Sequence, residues 1–292
     1  MGIRFARCHP LVSFLFYAGG VALLILMLHP VFQVISLFII LVINLIHDRL
    51  AGLSKWKVLL LFTFILMVIV NPLFNERGRH LLFMVGEHRI TLEAVLYGGM
   101  NALSIIGIIA LFVSYNVIMT PNKLLFLFAK FLPQFAVLLM LTLRFIPLMT
   151  RRMEEISLVQ KSKGLSVHNG NWRTRVKIAF SYVQALLTYS LEEAIQTADS
   201  MKARGYGKGM RTSYEFFRFH PMDTIAIICL AVLFTLTIYG RILGFGFLTI
   251  YPLMEDWKFS FQDTASLVCY LLYLCFPIIV EAGEAFRWRL LN

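Results

Sequence analysis

Long uncharged apolar stretches alternate with short polar segments along the chain. A helix needs about 20 apolar residues to cross the hydrocarbon of a bilayer, and backbone groups in lipid must find hydrogen-bond partners within their own segment. The pattern therefore predicts an all-α polytopic membrane protein with about six transmembrane helices. The apolar stretches are Leu11–Leu28, Val31–Ile46, Val58–Phe74, Ala94–Met119, Thr224–Gly240 and Thr264–Val280.

Composition agrees with this pattern. The chain has 292 residues, of which 59% are hydrophobic and 15% charged, whereas soluble domains carry about 25% charge. The net charge of +11 would suggest nucleic acid in a soluble protein. In a membrane protein, Lys and Arg accumulate in cytoplasmic segments instead, so we expect contact with the lipid bilayer and none with nucleic acid.

The positive charge is concentrated in the middle of the chain. Residues 120–220 hold 15 of the 27 Lys and Arg residues but 6 of the 16 acids, which indicates a cytoplasmic location. We predict three parts: N-terminal transmembrane helices at 1–120, cytoplasmic or interfacial helices at 121–220, and C-terminal transmembrane helices at 221–292. The basic loop Asp48–Lys57 and Arg287 and Arg289 near the end favour the same side, so both termini are expected in the cytoplasm.

One apolar stretch, Phe131–Leu143, is ambiguous. It is flanked by Lys130 and Arg144, and Pro133 and Pro147 lie nearby. Charges and prolines in these places favour a helix lying at the membrane interface. A further membrane span is the alternative.

A long amphipathic helix is predicted from Thr174 onward. Apolar residues recur there at steps of three or four, which is the helical period. Gly205 stands where such a helix would end in the left-handed conformation, and Arg204 falls in its last turn, where a cation suits the helix dipole. The apolar stripe consists of Val176, Phe180, Val183, Leu187, Leu191, Ala194, Ala198 and Met201.

The sequence contains no arrangement typical of an enzyme. The stretch "GYGKGMRTS" lacks the spacing of a phosphate-binding loop and follows a helix, whereas such a loop follows a strand. The four cysteines form no CxxC pair, which disfavours a zinc site or a disulfide framework. We expect no catalytic residue, no metal and no cofactor bound by this chain.

Two basic helix ends remain as candidate sites. They are "QKSKGL", which contains Ser162, Lys163 and Gly164, and "KARGYG", which contains Ala203, Arg204 and Gly205. In each, a glycine directly follows a cation, so a partner backbone could approach closely while the cation reaches beyond it. The spacing alone equally well indicates two ordinary helix ends whose cations only reflect the positive charge of cytoplasmic segments. The supporting basic residues are Lys202, Lys208 and Arg211.

The surroundings of these ends resemble a known family. The segments "LRFIPLMTRRMEEISLVQKSKGL" and "LEEAIQTADSMKARGYGKGMRTSY" resemble the transmembrane T component of energy-coupling factor (ECF) transporters, the CbiQ/EcfT family, over about residues 121–223. The resemblance implies a non-catalytic subunit in a prokaryotic cell membrane. It would join two cytosolic ABC-type ATPases, which bind ATP and Mg, to a substrate-binding S component for a vitamin or a metal ion.

The resemblance also implies roles for the two basic ends. In the family, two coupling helices each end in an x-Arg-x motif that docks into an acidic groove of an ATPase. Ala203, Arg204 and Gly205 match the second motif. Ser162, Lys163 and Gly164 occupy the first, where Lys163 departs from the usual arginine and offers a point charge in place of a bidentate contact. The stretch including Thr264–Val280 lies beyond the family's typical end.

Two other functions compete with this one. A membrane-embedded transferase could use the basic cytoplasmic loop to bind a diphosphate lipid, but such enzymes need carboxylates for Mg²⁺, and no D-x-x-D-like pair lies beside the loop. A stand-alone channel or carrier is disfavoured because the apolar stretches lack ionisable residues.

Overall fold

The computed structural model describes residues 5–75, 78, 80–85, 88–129, 131–165, 171–208, 217–246, 248 and 261–291. The regular secondary structure within these residues is α-helical except for a short 3-10 turn, Phe5–Arg7, and one antiparallel hairpin of strands β1 (Leu81–Val85) and β2 (His88–Thr91). The helices are α1 (Pro10–Leu26), α2 (Pro30–Asp48), α3 (Ala51–Phe74), α4 (Leu92–Ile118), α5 (Pro121–Ala129), α6 (Pro133–Ser162), α7 (Trp172–Ala203), α8 (Pro221–Ile242) and α9 (Phe261–Leu291).

Six of the described helices are long and apolar enough to cross a membrane. They are α2, α3, α4, α6, α8 and the part of α9 up to Gly283. The predicted all-α polytopic class with about six candidate spans is confirmed. The set differs from the predicted one, because α1 has 17 residues and is shorter than each of the six.

Helix α6 replaces α1 in that set. Its 30 residues continue through Pro147 without a break, so the ambiguous stretch is the first half of one long helix. The predicted stretch was Phe131–Leu143, because Arg144 flanks it and Pro147 lies nearby. A proline removes one backbone hydrogen bond, and a long helix can still continue on both sides of it.

Contacts divide the chain into two compact units. The first combines residues 1–124 and 217–292, and the second consists of residues 125–216. In the first unit, helices α1, α2 and α4 pack together with α8 and α9 around one core. Its fully buried side chains include Phe16, Leu24, Ile40, Leu111 and Tyr273.

The C-terminal helices are an integral part of this core. The hydroxyl of Tyr273 in α9 donates to the backbone oxygens of Leu15 (2.9 Å) and Phe16 (3.1 Å) in α1. The same hydroxyl oxygen lies against Gly19, in the space that a side chain there would occupy, so glycine at this position permits the close packing of α1 and α9. Helices α8 and α9 therefore help to hold α1 in place.

Charged side chains fasten the segment before α1. Glu281 of α9 accepts a hydrogen bond from the backbone nitrogen of Phe5 (3.0 Å), and Asp223 of α8 accepts one from His9 (3.3 Å). The buried ammonium of Lys123 donates to the carbonyl oxygens of Ala6 (2.5 Å) and Ile118 (2.8 Å). Burial lowers the pKa of Lys123 from its ordinary value. These residues have a structural use that the sequence pattern alone does not reveal.

Candidate functional site

The candidate site is built from the ends of α6 and α7 in the second unit. In α6, the last helical residue is Ser162 and Lys163 is the cap residue. Gly164 follows in the left-handed conformation with φ of 80°. In α7, Ala203 ends the helix and Arg204 is the cap, and Gly205 follows with φ of 82°.

The two ends share one hydrogen-bonding pattern. After α6, Leu165 N donates to Gln160 O (3.0 Å) and Gly164 N donates to Lys161 O (3.0 Å). This pair of bonds is the Schellman motif, which satisfies carbonyls at the end of a helix and favours glycine because of its positive φ. Lys163 and Arg204 therefore occupy equivalent positions on equivalent backbones.

The end of α7 repeats both bonds. Tyr206 N donates to Met201 O (2.9 Å) and Gly205 N donates to Lys202 O (3.0 Å). The predicted end of the long helix at Gly205 is confirmed, as is the place of Arg204 at its tip.

Both cations are exposed. Lys163 and Arg204 are open to solvent, and neither forms an ion pair with any residue that the structure describes. A side chain added at Gly164 or Gly205 would meet no described atom within 4 Å. Each end thus presents a cation beside open backbone, which is the arrangement a carboxylate-lined groove could accept.

The structure describes two of the three supporting basic residues, Lys202 and Lys208. Lys202 lies in the last turn of α7 and is exposed, and Lys208 follows a second left-handed glycine, Gly207, with φ of 87°. The Lys208 backbone nitrogen donates to Gly205 O (3.1 Å). Arg211 lies outside the described residues.

Helices α6 and α7 form an antiparallel hairpin. Ser190 of α7 donates through its hydroxyl to the sulfur of Met149 in α6 (3.1 Å). One turn further along α6, the Arg152 guanidinium lies 4.1 Å from the centre of the Tyr189 ring, which is a cation–π geometry. These contacts lie between the C-terminal half of α6 and the middle of α7.

The two cationic ends lie far apart on this hairpin. The buried Tyr182 donates its hydroxyl to the carbonyl oxygen of Leu165, just after the α6 end (2.6 Å). From Tyr182 the helix runs on for 22 residues to Arg204, or about 33 Å at the α-helical rise. The two ends therefore stand on the order of 30 Å apart, so a single small partner site would not cover both.

The sequence pattern does not reveal the side chains that brace the hairpin, namely Tyr182, Arg152 and Tyr189. Each is an unremarkable member of a helix when the sequence is read along one element. Only the pairing of α6 with α7 brings Arg152 over Tyr189 and the Tyr182 hydroxyl onto the loop.

Comparison with known proteins gives consistent matches. The CbiQ family, described as cobalt transport protein, matches residues 6–214. The energy-coupling factor transporter transmembrane protein EcfT of Staphylococcus aureus is 28% identical over 196 residues, which are 61% of this chain and 72% of that protein. EcfT of Listeria innocua is 30% identical over 193 residues, covering 62% and 72%. EcfT of Leuconostoc gelidum is 26% identical over 221 residues, covering 70% and 74%.

The match extends further than the resemblance drawn from the two basic segments. It includes the N-terminal helices α1 to α4 as well as both cationic ends. Helices α8 and α9 lie beyond residue 214 and so outside the matched residues.

Proposed function

Because the chain belongs to the CbiQ family of transport proteins, we propose that it is the T component of an ECF-type importer. It is a multi-pass membrane protein with six described helices long enough to span a bilayer. In the proposed complex it lies in a prokaryotic cell membrane with both termini in the cytoplasm. It joins two cytosolic ABC-type ATPases to an S component that binds a vitamin or a metal ion.

The observation that carries the proposal is the pair of matching cationic ends. Lys163 and Arg204 occupy the same cap position, both are exposed, and about 33 Å of helix separates Tyr182, which contacts the first end, from the second. Two equivalent attachment points at this spacing suit two copies of one kind of partner.

Each cation would pair with acidic groups of one ATPase. An arginine can hold a carboxylate through two parallel hydrogen bonds, whereas a lysine acts as a point charge. The Arg204 contact is therefore the stronger of the two. ATP and Mg bind to the ATPases, and this chain contributes no catalytic group.

The hairpin would transmit the motion of the ATPases. A helix is stiff along its axis, and α7 is continuous for 32 residues up to the Arg204 tip. When ATP binding brings the ATPases together, their movement at the two tips would displace α6 and α7. That displacement would reach the S component through the exposed faces of these helices.

Co-purification tests the assigned contact. Arg204→Glu reverses the charge at the tip, and we expect it to reduce the ATPases recovered with the membrane complex by at least tenfold. Arg218→Glu is the matched control, because Arg218 is an exposed arginine outside both motifs. It should leave recovery unchanged. An Arg204→Glu complex that retains its ATPases would overturn the assignment.

A further inference from the structure

The chain passes between the two compact units twice. It leaves the first unit after Leu124 and returns to it at Phe217. Lys123 lies directly before the first of these crossings, and Asp223 lies shortly after the second. Two units of one chain can move relative to each other unless other contacts restrain them. The contacts that hold the two crossings therefore decide how the second unit can move.

Both crossings are fastened to one short stretch of backbone, the segment before α1 (residues 5–9). The Lys123 ammonium donates to Ala6 O (2.5 Å), and the Asp223 carboxylate accepts a hydrogen bond from His9 N (3.3 Å). Ala6 and His9 are three residues apart. Since consecutive Cα atoms are about 3.8 Å apart, the Cα atoms of these two residues lie within about 11 Å of each other. One short segment thus contacts the residues next to both crossings.

Each fastening side chain also contacts the end of a membrane helix. Lys123 donates to Ile118 O (2.8 Å) at the end of α4, and Asp223 accepts from His220 N (2.9 Å) at the start of α8. Lys123 and Asp223 are only 8% and 6% exposed. Burying a charge costs free energy unless it is hydrogen-bonded, so moving the segment before α1 would deprive each charge of a partner.

The segment before α1 is itself anchored at both of its ends. Phe5 is fully buried, its ring centroid lies 5.6 Å from that of Phe16, and its backbone nitrogen donates to Glu281 (3.0 Å). At the other end, the ring of His9 lies 4.9 Å from the ring of Phe219, which follows the second crossing. The segment is therefore a fixed point of the first unit.

We propose that Lys123 and Asp223 are positioning residues that fix both crossings to the segment before α1, so that the second unit turns about the line between them. A unit held at one point can swivel in every direction, whereas a unit held at two points turns about one axis. This role rests on the proposed function, since the ATPases would supply the movement at Lys163 and Arg204. It assigns the direction of that movement to residues outside both cationic ends.

The test measures how freely the second unit moves in the full chain in phospholipid nanodiscs. The four cysteines are replaced by serine, and spin labels are attached through new cysteines at the exposed positions Ser54 in α3 and Gln196 in α7. Double electron–electron resonance then gives the distribution of distances between the two labels. We expect Lys123→Met and Asp223→Ala each to broaden this distribution roughly twofold, because one crossing is released.

Arg241→Met is the matched control. Arg241 Nε donates to Leu26 O (2.9 Å) at the end of α1, so this variant also removes a cation that holds a carbonyl at a helix end. Arg241 lies at the opposite end of α8 from the second crossing, and its loss should leave the distribution unchanged. Asp223→Asn keeps an oxygen acceptor and should broaden the distribution less than Asp223→Ala does.

Two results would overturn the proposal, with the melting temperature of every variant measured alongside. Unchanged distributions in Lys123→Met and Asp223→Ala, at lowered melting temperatures, would mean that these contacts only stabilise the first unit. Equal broadening in Arg241→Met would mean that the first unit loosens as a whole, whichever contact is removed.

Co-purification separates this proposal from the proposed function. Lys123→Met and Asp223→Ala leave Lys163 and Arg204 unchanged, so the ATPases should be recovered with both variants as with the original chain. Failure of the ATPases to bind the original chain would contradict the proposed function. The distance distribution measured without ATPases would still decide whether Lys123 and Asp223 hold the crossings.

Discussion

The ends of α6 and α7 have the same backbone and different surroundings. Both finish in a Schellman motif with a cation at the cap and a left-handed glycine after it. Tyr182 fastens the α6 end, whereas α7 continues about 33 Å beyond that point. We therefore call the α6 end the braced end, because Tyr182 holds the residues after it, and the α7 end the lever tip, because it lies at the end of a long helix.

A third helix end shows what the backbone alone does not explain. Helix α8 also ends in a Schellman motif, with Phe245 N donating to Gly240 O (3.0 Å) and Gly244 at φ of 93°. Its cap residue is Leu243. Since this geometry also ends a helix without a cation at the cap, the function proposed for the other two ends must reside in Lys163 and Arg204.

The largest expected effect comes from changing the glycine of the lever tip. Gly205→Val places a β-branched residue at a φ of 82°, and left-handed backbone costs such residues about 1–2 kcal/mol. The end of α7 should unwind and move Arg204, and ATPase binding should fall at least tenfold. Gly164→Val should have a smaller effect, because Tyr182 still holds the loop after α6.

Gly244→Val is the control for general destabilisation. It strains the same motif at a φ of 93° and should lower the melting temperature by a similar amount while the ATPases still co-purify. If all three variants lose the ATPases equally, backbone disruption and not the placement of the cation explains the loss.

The comparison also separates what the sequence can predict from what it cannot. The end of α7 at Gly205 was predictable, because a cation followed by glycine after a periodic apolar stripe is a local signal. The apolar stretches likewise predict five of the six candidate spans. The continuation of α6 through Pro147 was not predictable from the sequence. Whether a proline breaks a helix or is accommodated within it depends on the helical segments on both sides.

The side chains that brace the hairpin, and the packing of the C-terminal helices, depend on contacts between residues that are far apart in the sequence. Tyr182 and Tyr189 are ordinary helical residues until α6 lies beside them. In the same way, Tyr273 becomes important only because its hydroxyl reaches the backbone of α1. Contacts between residues that are distant in sequence leave no periodic mark, so pattern analysis of one chain does not detect them.

A smaller effect should follow from exchanging the two cations. Arg204→Lys replaces a bidentate hydrogen-bonding group with a point charge, and we expect a loss of about 1 kcal/mol, or roughly fivefold in ATPase affinity. Lys163→Arg should strengthen its contact by a similar factor. Titration of purified ATPase onto the reconstituted chain measures both. Unchanged affinity in Arg204→Lys, or no gain in Lys163→Arg, would mean that the two ends do not bind carboxylates in the same way.

The smallest effect is expected from loosening the brace itself. Tyr182→Phe removes the hydrogen bond to Leu165 O and leaves the ring in place, which should cost about 0.5–1 kcal/mol. Amide exchange at residues 160–165 should then accelerate two- to fivefold, while exchange at residues 200–206 stays the same. Tyr189→Phe is the control, because it keeps an aromatic ring beneath Arg152 and should change neither region. Faster exchange at both ends in Tyr182→Phe would show that the hairpin opens as one unit, and the distinction between a braced end and a lever tip would then be wrong.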